Sequence, residues 1–384
     1  MKILHITYSD NYGGANIAAT RIHKALITNN MNSHLLVIDK KKNLKNTIKY
    51  KYFINFISSR LRPYIEKLLT LSFGYKEKVS INIMKSNIAS FANKHNFDVI
   101  NFHWINNEMI SLNELPNFNG KLFWTLHDSW PIDYFYHYPN INFKIQNTSN
   151  NLILKYMVNR KKKFLNKKKI GLICPSVWMK NYVIKNKIIK KKVAKVIRNP
   201  INTNYWKPTI LEKENKKIIL FGSVNVSTDK RKGLDEFLLK LNNITQKIPK
   251  FKLLIFGGGF VEKNKYNFEI SNLGYLEPKR LLYFYNLSSV YIIASKQDNL
   301  PNTAIEAMAC GTPVITVKNN GLNEIIDHKK NGYILNKFTD VELSNSIKWS
   351  FKSKNKNYIH ESIKKNFSEL EISKQYIKFY KSLK

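Results

Sequence analysis

The stretch "ASKQDNLPNTAIEAMACGTPVITV", residues 294–317, predicts the end of a strand, a loop, a helix and a second strand, in that order. The preceding text, "VYIIAS" (290–295), is short, apolar and rich in residues that favour strands, which is typical of a buried strand. The segment "TAIEAMAC" (303–310) spaces its apolar residues as a helix does, and "TPVITV" (312–317) again predicts a strand. The order strand, helix, strand is typical of a parallel sheet in an α/β fold.

Two carboxylates stand in this unit, Asp298 in the loop after the strand and Glu306 in the first turn or so of the helix. Pro301 bends the chain between them, so both acids can face one cleft. The amides of the intervening segment lie at a helix N-terminus, which carries about half a positive charge and suits a phosphate. This arrangement suits a sugar nucleotide: one acid can bind sugar hydroxyls, the other can bind a ribose, and the amides can bind a phosphate.

The same residues also allow a structural interpretation. Asn302 or Thr303 can cap the helix, and Thr303 followed three residues later by Glu306 matches a capping box, in which the glutamate reaches back to the amide of the cap. On residue types alone, the ligand-binding and the capping interpretations both stay open.

The composition indicates a folded chain with a large excess of positive charge. Its 384 residues allow two domains of ordinary size, and its 43% apolar and 13% aromatic residues are typical of globular proteins. The 64 Lys and Arg against 26 Asp and Glu give a net charge of +38, which suits nucleic acid, an anionic membrane surface or a phosphorylated substrate. A solvated, lysine-rich surface explains the same excess, so the charge alone selects no partner.

Short apolar runs alternate with helical patterns through the whole chain, which predicts two α/β domains. A linker is predicted near 199–208, "NPINTNYWKP", because this segment has two prolines and no periodicity. We expect an N-terminal domain over 1–200, a C-terminal domain over 201–355, and one or two helices over 356–384, which could pack back on the N-terminal domain. Ligands of such domains bind at the carboxyl ends of the strands, here in a cleft between the domains.

Several classes of site have no support in the sequence. Cys174 and Cys310 both stand in apolar segments, so neither a disulfide framework nor a zinc site can be built from them. We expect no metal, because ligand clusters and an Asp-x-Asp pair are missing, and a phosphate-binding P-loop motif is missing too. A signal peptide and a spanning helix are not predicted either, so we expect a cytoplasmic protein.

Several motifs, taken as a set, resemble a known family. The acids of the first stretch, followed by "AMACGTPVI" and "NNGLNEIIDHKKNGYIL", resemble the carboxylate motif and downstream loop of the retaining glycosyltransferases with the GT-B fold, glycosyltransferase family 4 (group 1). The segments "WTLHDSWP", "CPSVWMK", "VIRNPINTNYWKP" and "STDKRKGLDEF" are similar to its capsule and colanic acid biosynthesis branch. The resemblance implies an α/β GT-B fold, in which two Rossmann-like parallel-sheet domains face an interdomain cleft. The first is then the acceptor-side domain and the second the donor domain.

The resemblance implies roles for residues of the first stretch. Glu306 matches the family glutamate that binds the ribose, and Asp298 matches the acid that binds the donor sugar. This position is usually glutamate in the family, so the shorter aspartate puts the choice of donor sugar in doubt. Leu300, Pro301 and Asn302 match the segment whose backbone meets the donor sugar and the diphosphate.

The resemblance also implies residues outside this stretch. Lys232 matches the lysine on the diphosphate. The family arginine after the first strand of the second domain is missing, and we expect Arg231 to take its place. His127, which ends a predicted strand, matches the histidine that faces the donor sugar, although a structural histidine is common at such a position. Gly13 and Gly14 allow a close approach of the backbone before the first helix, or simply a tight turn.

The expected activity is retaining transfer of a sugar from a UDP- or GDP-sugar to a saccharide or lipid-linked saccharide in cell-surface polysaccharide biosynthesis, without a cofactor. The alternatives are a GT-B nucleotide-sugar epimerase or phosphorylase, and a nucleic-acid-binding protein, for which known binding motifs are missing. We expect no nucleic acid as a partner.

The basic segment 50–75 mixes apolar residues with Lys and Arg at spacings near one helix face, including Phe53, Arg60, Arg62 and Lys67. It is predicted to meet an anionic membrane surface, as a peripheral protein at the inner face of the cell membrane would. The alternative is that its apolar stripe packs on the core of the first domain.

Overall fold

The chain folds into two units, each built on one parallel sheet. The first unit comprises Met1–Pro200 with Glu369–Lys384, and the second comprises Ile201–Ser368. This computed structural model describes residues 1–51, 56–71, 80–133, 137–138, 152–186, 188–190, 192–210, 217–318, 320–353 and 355–383. The predicted pair of α/β parallel-sheet domains is confirmed.

The sheet of the first unit has seven described strands, all paired in parallel. In chain order they are β1 Lys2–Ile6, β2 Asn32–Val37, β3 Thr47–Lys49, β4 Val99–Phe102, β5 Lys121–Thr125, β6 Ile170–Cys174 and β7 Lys192–Val196. Their order across the sheet is β3-β2-β1-β4-β5-β6-β7, so β1, β4 and β5 are neighbours at its centre. The central strands are apolar and almost fully buried, as strands covered on both faces must be.

The described helices of the first unit stand between its strands along the chain, except the last one, which follows the second unit. They are α1 Gly14–Thr28, α2 Phe56–Leu71, α3 Ile88–Lys94, α4 Leu152–Leu165, α5 Val177–Lys185 and α11 Glu369–Ser382, with a 3₁₀ helix at Leu112–Asn117. The short strand β3 was missed from the sequence, because its three residues are too few to show a period.

The sheet of the second unit has six described strands in the order β10-β9-β8-β11-β12-β13, again all parallel. They are β8 Lys217–Gly222, β9 Phe251–Phe256, β10 Glu269–Gly274, β11 Val290–Ile293, β12 Val314–Val317 and β13 Gly332–Leu335. The helices are α6 Leu234–Asn243, α7 Pro278–Leu287, α8 Asn302–Ala309, α9 Asp340–Lys352 and α10 Lys356–Phe367. Short 3₁₀ helices stand at Lys230–Lys232, Thr245–Lys247, Lys263–Lys265 and Gly321–Glu324.

The boundary between the units lies inside the predicted linker, but that linker is not an open loop. Ile201 and Trp206 are 1% and 5% exposed and pack in the core of the second unit. Burial of the indole ring ties the linker to this unit, so only the first two residues of the predicted segment 199–208 belong to the first unit.

The C-terminal segment 356–384 is divided between the two units. Helix α10 packs on the core of the second unit through Ile359, Ile363 and Phe367. Helix α11 packs on the first unit, with its apolar face buried against residues that include Phe123, whose ring lies 5.3 Å from that of Phe379. The domain range 201–355 expected from the sequence therefore ends before α10, whereas the second unit includes this helix.

Helix α2 covers the middle of the basic segment 50–75. Residues 52–55 and 72–79, and the side chains of 56–60 and 69–71, lie outside the described residues, so the prediction for Phe53 and Arg60 falls there. Arg62, predicted to be a surface cation, is 6% exposed and donates to the carbonyl of Glu108 at 2.8 Å. Its guanidinium donates to a backbone carbonyl inside the unit. The prediction that Arg62 contacts a membrane was therefore wrong. Among the described helices, none is long and apolar enough to cross a membrane.

Candidate functional site

The loops at the carboxyl ends of β8 and β11 form a pocket in the second unit. The ends of both strands contribute to its wall, together with Lys232, Asp298 and the start of α8. Its lining residues are Phe221, Gly222, Ser223, Lys232, Tyr291, Ile292, Ile293, Ala294, Ser295, Asp298, Pro301 and Thr303. β8 and β11 are neighbours at the centre of the sheet, and the carboxyl edge of a parallel sheet is where ligands of such folds bind.

Three predicted site residues form one cluster of charges at this pocket, which Lys232 and Asp298 line. Lys232 Nζ lies 2.6 Å from Asp298 Oδ2, and Arg231 Nη1 lies 3.7 Å from the same oxygen. Arg231 also donates to the carbonyl of Gln297 at 2.8 Å and to Asp229 Oδ2 at 2.7 Å. The structure therefore brings Arg231, Lys232 and Asp298 together, with the aspartate between two cations.

A 3₁₀ helix and a glycine place these cations. The side chain of Asp229 caps the helix Lys230–Lys232 by accepting from the amide of Arg231 at 3.2 Å. Gly233 follows with φ of 73°, and a Cβ there would lie 2.5 Å from the carbonyl oxygen of Ala294. Only glycine allows both the left-handed backbone and this close approach to the end of β11, which is why "DKRKG" sits against the pocket.

The charge state of Asp298 follows from this cluster. The residue is 7% exposed, and burial by itself would raise the pKa of its carboxyl. The positive charges of Lys232 and Arg231 outweigh burial and hold the pKa of Asp298 below its ordinary value. Asp298 is therefore ionised near neutral pH and compensates the two cations.

Helix α8 starts differently from either capping prediction. Its N-cap is Pro301, and Asn302 is its first residue. Glu306 is the fifth residue of the helix, too far along for the third-position glutamate of a capping box, so the capping-box interpretation is wrong. Glu306 is 5% exposed, and its Oε2 accepts from the Tyr285 hydroxyl at 3.1 Å.

Two buried tyrosines that the sequence analysis did not identify lie near the acids, Tyr285 against Glu306 and Tyr291 in the wall of the pocket. The Tyr291 hydroxyl donates to the carbonyl of Gly222 at 2.7 Å and lies 3.0 Å from Thr303 Oγ1. Burial, and the negative charges of Glu306 and Asp298, raise the pKa of the Tyr291 phenol, so this group stays protonated. All four residues of β11 are buried, so no alternation along the strand marks Tyr291 in the sequence.

Leu300, Pro301 and Asn302 lie where the chain turns from the loop into α8. The Leu300 side chain is 5% exposed and packs in the core, so this residue has only its backbone to offer a ligand. Pro301 lines the pocket. Helix α8 therefore begins at the wall of the pocket, and a helix N-terminus suits an anion.

The remaining predicted residues belong to the first unit. Gly13 is the N-cap of α1, with φ of 86°, a conformation that favours glycine, and Gly14 is the first residue of the helix. His127 follows β5 by two residues, and α1 begins after β1. Gly13, Gly14 and His127 therefore share the carboxyl edge of the first sheet.

His127 is the end of a chain of three imidazoles that the sequence did not predict. Its Nε2 lies 2.9 Å from His103 Nδ1, and His103 Nε2 lies 2.9 Å from His5 Nδ1. Burial lowers the pKa of His127 to about 4, and the pKa values of His5 and His103 lie well below the ordinary value for the same reason. All three rings are therefore neutral at pH 7. We call this arrangement the histidine chain.

A second constellation in the first unit has the spacing of a hydrolytic triad. His137 Nδ1 lies 2.6 Å from Asp128 Oδ2, and His137 Nε2 lies 3.2 Å from Ser80 Oγ. Ser80 is 0% exposed, so no substrate can reach its hydroxyl, and Trp130 Nε1 donates to its carbonyl at 2.8 Å. These contacts hold neighbouring loops together. Within the described ranges, no three His, Cys, Asp or Glu side chains are grouped so that they could hold a metal ion.

Comparison with curated proteins finds similarity over part of the chain. An uncharacterized glycosyltransferase of Haemophilus influenzae is 31% identical over 145 residues, which are 36% of this chain and 40% of that protein. The α-monoglucosyldiacylglycerol synthase of Streptococcus pneumoniae is 25% identical over 182 residues, 42% of this chain and 40% of that protein. The chain thus spans about two fifths of the length of these relatives.

Solved structures are similar over nearly the whole chain. The sucrose-phosphate synthase of Thermosynechococcus elongatus superposes with a TM-score of 0.68 at 17% identity, covering 99% of this chain and 98% of that one. The Anabaena protein HepE in complex with UDP and glucose gives a TM-score of 0.65 at 15% identity, with both chains covered completely. At such identities the likeness shows the fold, which is that of GT-B glycosyltransferases.

The family described as Glycosyl transferases group 1 matches residues 202–366. This range agrees with the second unit, Ile201–Ser368, to within two residues at each end. It contains the pocket that Lys232 and Asp298 line, and it also contains Arg231 and Glu306. Residues 202–366 are therefore a glycosyl transferases group 1 domain, in a chain whose two parallel-sheet units have the GT-B type of fold.

Proposed function

We propose that the chain is a retaining glycosyltransferase of family 4, which transfers a hexose-type sugar from a UDP- or GDP-sugar to a saccharide or lipid-linked saccharide in cell-surface polysaccharide biosynthesis. The observation that carries the proposal is the cluster of Arg231, Lys232 and Asp298 at the carboxyl edge of the second sheet. Two cations beside the start of a helix suit a diphosphate, which needs charge stabilisation as it leaves. The group 1 family match over the same unit supports this reading.

In this proposal, Lys232 and Arg231 bind the diphosphate, and the amides at the start of α8 add to its stabilisation. Lys232 Nζ lies 2.6 Å from Asp298, so the ammonium exchanges part of this contact for a phosphate oxygen when the donor binds. Glu306 binds the ribose, with one oxygen already fixed by Tyr285. Asp298 both compensates the cations and approaches the donor sugar, and we propose that a water bridges the gap left by its short side chain.

The choice of nucleotide rests on relatives. HepE was solved with UDP and with UDP-glucose, which favours a uridine nucleotide here as well. A thermal-shift panel of UDP, GDP and their sugars tests the choice, because a ligand at 100 times its Kd stabilises a protein by about 2.7 kcal/mol. A shift with UDP-sugars and none with GDP-sugars is the expected result. No shift with any member would contradict a nucleotide-sugar donor.

The reaction itself is tested by its products. A transferase releases nucleoside diphosphate only when an acceptor is present, whereas an epimerase converts the sugar nucleotide alone and a phosphorylase needs phosphate. The NMR spectrum of the product reports its anomeric configuration, which retention keeps and inversion changes. We expect transfer to persist in EDTA, since Arg231, Lys232 and helix amides stabilise the leaving group. Loss of transfer in EDTA that magnesium restores would contradict this assignment.

We propose further that the acceptor is presented at an anionic membrane on the cytoplasmic side, and that α2 is the contact. The helix is oriented with polar groups inward: Arg62 donates to the Glu108 carbonyl, and Glu66 Oε1 accepts from the Ile81 amide at 3.0 Å. Its outward face is apolar, with Leu61, Tyr64, Ile65 and Leu68 exposed by 47%, 66%, 36% and 68%.

This outward face suits a charged lipid surface better than water. Its residues follow helical spacing, a tyrosine is well placed at a headgroup boundary, and the exposed Lys67 adjoins them. The net charge of +38 adds a general attraction to anionic lipid. The S. pneumoniae relative named above is a synthase of a glucosyl lipid by its name, which is compatible with a lipid acceptor.

Vesicle sedimentation tests this contact. We expect binding to phosphatidylglycerol vesicles to exceed binding to phosphatidylcholine vesicles, and the double variant Tyr64→Ser, Leu68→Ser to bind roughly tenfold more weakly, because it loses buried apolar area. Leu239→Ser is the matched control, since Leu239 is a 62% exposed leucine of the second unit. Equal binding by the double variant and the control would contradict the contact. A dimer in ultracentrifugation that the double variant abolishes would assign the face to a second copy instead.

A further inference from the structure

The histidine chain connects three neighbouring strands of the first sheet. His5 is in β1, His103 follows β4 by one residue and His127 follows β5 by two. The rings of His103 and His127 are stacked, with centroids 5.2 Å apart, and those of His5 and His103 are also 5.2 Å apart. His5 is 0% and His103 is 4% exposed, whereas His127 is partly exposed at the edge of the sheet. The chain therefore runs from the core of the first unit to the carboxyl edge of its sheet.

A neutral imidazole has one nitrogen that donates and one that accepts. In a chain of neutral rings, each contact needs a donor on one side and an acceptor on the other, so all three rings must point the same way. Only two arrangements satisfy both 2.9 Å contacts. In the first, every ring carries its proton on Nδ1, and in the second, every ring carries it on Nε2.

The buried end distinguishes the two arrangements. His5 Nε2 is buried and has no hydrogen-bond partner among the described groups. The nearest other imidazole, His23, is already engaged, since its Nε2 donates to the Lys45 carbonyl and its Nδ1 accepts from Ser33 Oγ, both at 2.9 Å. An unpaired buried N–H is rarer and costs more than an unpaired acceptor. His5 therefore carries its proton on Nδ1, where His103 accepts it.

We propose that His5 and His103 are positioning residues that hold His127 as the Nδ1–H tautomer, so that the first unit presents a neutral N–H donor at its carboxyl edge. His103 donates from Nδ1 to Nε2 of His127, and this contact leaves the remaining proton of His127 on Nδ1. The chain thus sets the tautomer of a partly exposed residue from inside the core.

The consequence for transfer rests on the proposed function. A neutral N–H donor at this edge can bind a sugar hydroxyl without placing a full positive charge beside a sugar ring that develops positive charge in the transition state. An imidazolium there would oppose that charge. Desolvation of all three rings makes protonation costly, so the chain supplies a donor that stays neutral.

Nitrogen-15 NMR of protein labelled in its nine histidines tests the tautomer directly, because protonated and unprotonated ring nitrogens differ widely in chemical shift. We expect His127 to carry its proton on Nδ1 in the unsubstituted protein. His5→Asp places an acceptor at the buried end and should reverse the chain, which moves the His127 proton to Nε2. His5→Phe ends the chain at His103 with a buried acceptor again, so it should leave His127 as the Nδ1–H form. His23→Gln is a control outside the chain and should also leave it unchanged.

Two results would overturn the proposal: an Nε2–H form of His127 in the unsubstituted protein, or an unchanged His127 tautomer in a folded His5→Asp variant. If His5→Asp fails to fold by circular dichroism, His103→Phe takes its place. That variant separates His127 from the chain, so the share of the Nδ1–H form of His127 should fall. A single Nδ1–H form in His103→Phe would equally overturn the proposal.

A kinetic measurement then connects the tautomer with transfer. We expect kcat/KM to fall about tenfold or more in His5→Asp, the size of one lost hydrogen bond, and to change little in His5→Phe. The Kd for nucleoside diphosphate should be equal in both variants, because its proposed site lies in the second unit. Absence of any transfer activity would refute the proposed function and leave the tautomer result intact, whereas a normal tautomer pattern with equal rates in both variants would refute only the role of His127.

Discussion

The two units have the same architecture and opposite electrostatics at their carboxyl edges. In the first unit the histidine chain and the glycine turn before α1 are neutral, because burial keeps the imidazoles uncharged, and the acid that follows His127, Asp128, contacts His137. In the second unit the edge is built from charges, with Asp298 held between Lys232 and Arg231. The same parallel sheet can therefore support either kind of site. The two edges differ in the side chains that follow the strands. In the second unit these side chains are charged and paired, whereas the buried imidazoles of the first unit are neutral.

This difference divides the chemistry between the units. Charges that are already paired can be redirected to a diphosphate at little cost, because each cation keeps an anionic partner throughout. Neutral donors and acceptors cannot stabilise a diphosphate but can orient hydroxyls without adding charge. We expect substitutions on the charged edge to act mainly on nucleotide binding and departure, and substitutions on the neutral edge to act on pH dependence and sugar orientation.

The largest effect is expected for Lys232→Met, which removes the cation nearest the diphosphate and retains the length of the side chain. Loss of one preorganised donor costs about 3 kcal/mol of barrier, so kcat should fall roughly a hundredfold in a nucleotide-release assay. Lys230→Met is the matched control, since Lys230 is exposed in the same 3₁₀ helix. An equal loss of kcat in both variants would show that the rate depends on the general positive charge of this helix and not on the cation paired with Asp298.

Glu306→Gln should weaken nucleotide binding more than it weakens the fold. The variant loses a charge-assisted bond to the ribose, worth about 1.5 to 3 kcal/mol, but its amide oxygen can still accept from Tyr285. Calorimetric titration with the nucleoside diphosphate and a melting curve separate the two effects. A lowered melting temperature with unchanged affinity would assign Glu306 to the packing around Tyr285 alone.

The stability of the first unit should fall in acid, because its buried imidazoles are neutral. His23, which lies near the histidine chain, allows this to be measured. Burial lowers the pKa of His23 to about 4, whereas an unfolded histidine has a pKa of about 6.5. Between these values the unfolded state binds the proton and the folded state does not, so stability falls as the pH drops from 6.5 toward 4. At pH 5 the loss from His23 is about 2 kcal/mol.

Urea denaturation at pH 8 and pH 5 measures this loss. His23→Gln does not titrate, so the difference in unfolding free energy between the two pH values should shrink by the contribution of His23. His360→Gln serves as a control in the second unit, where His360 Nδ1 lies 2.6 Å from the carbonyl of Ala309. An unchanged pH dependence in His23→Gln would show that this ring is protonated in the folded state.

The smallest effect is expected for Asp298→Asn, which tests the pairing on the charged edge. The variant leaves Lys232 and Arg231 without their shared carboxylate, and the lysine side chain is 18% exposed, so water compensates in part. We expect a loss of about 1 to 2 kcal/mol in unfolding free energy at pH 7. The wild-type protein should lose the same contribution as the pH falls through the lowered pKa of Asp298, because the protonated acid no longer pairs. A variant as stable as the wild type would show that the cluster serves the ligand only.

Much of the second unit was predictable because its signals are local. All six strands were predicted as apolar runs, and the strand, loop and helix around Asp298 and Glu306 are confirmed as elements. The capping interpretation of Thr303 and Glu306 was wrong because the helix begins two residues earlier than a threonine cap requires, at the residue after Pro301. A cap depends on which amide starts the helix, and periodicity leaves that uncertain by a turn.

By itself the sequence determined the two α/β domains, the position of their division near residue 200, and the set of acids and cations that the second unit collects. Hydrophobic periodicity and the prolines of the linker are properties of neighbouring residues, so the sequence alone reveals them. The tertiary structure alone decided the partners: Asp298 with Lys232, 66 positions apart, and His5 with His103, 98 apart. The tertiary structure also decided that Arg62 is buried and that His127 ends the histidine chain. Burial and pairing depend on the order of the strands in the sheet, which no local pattern encodes.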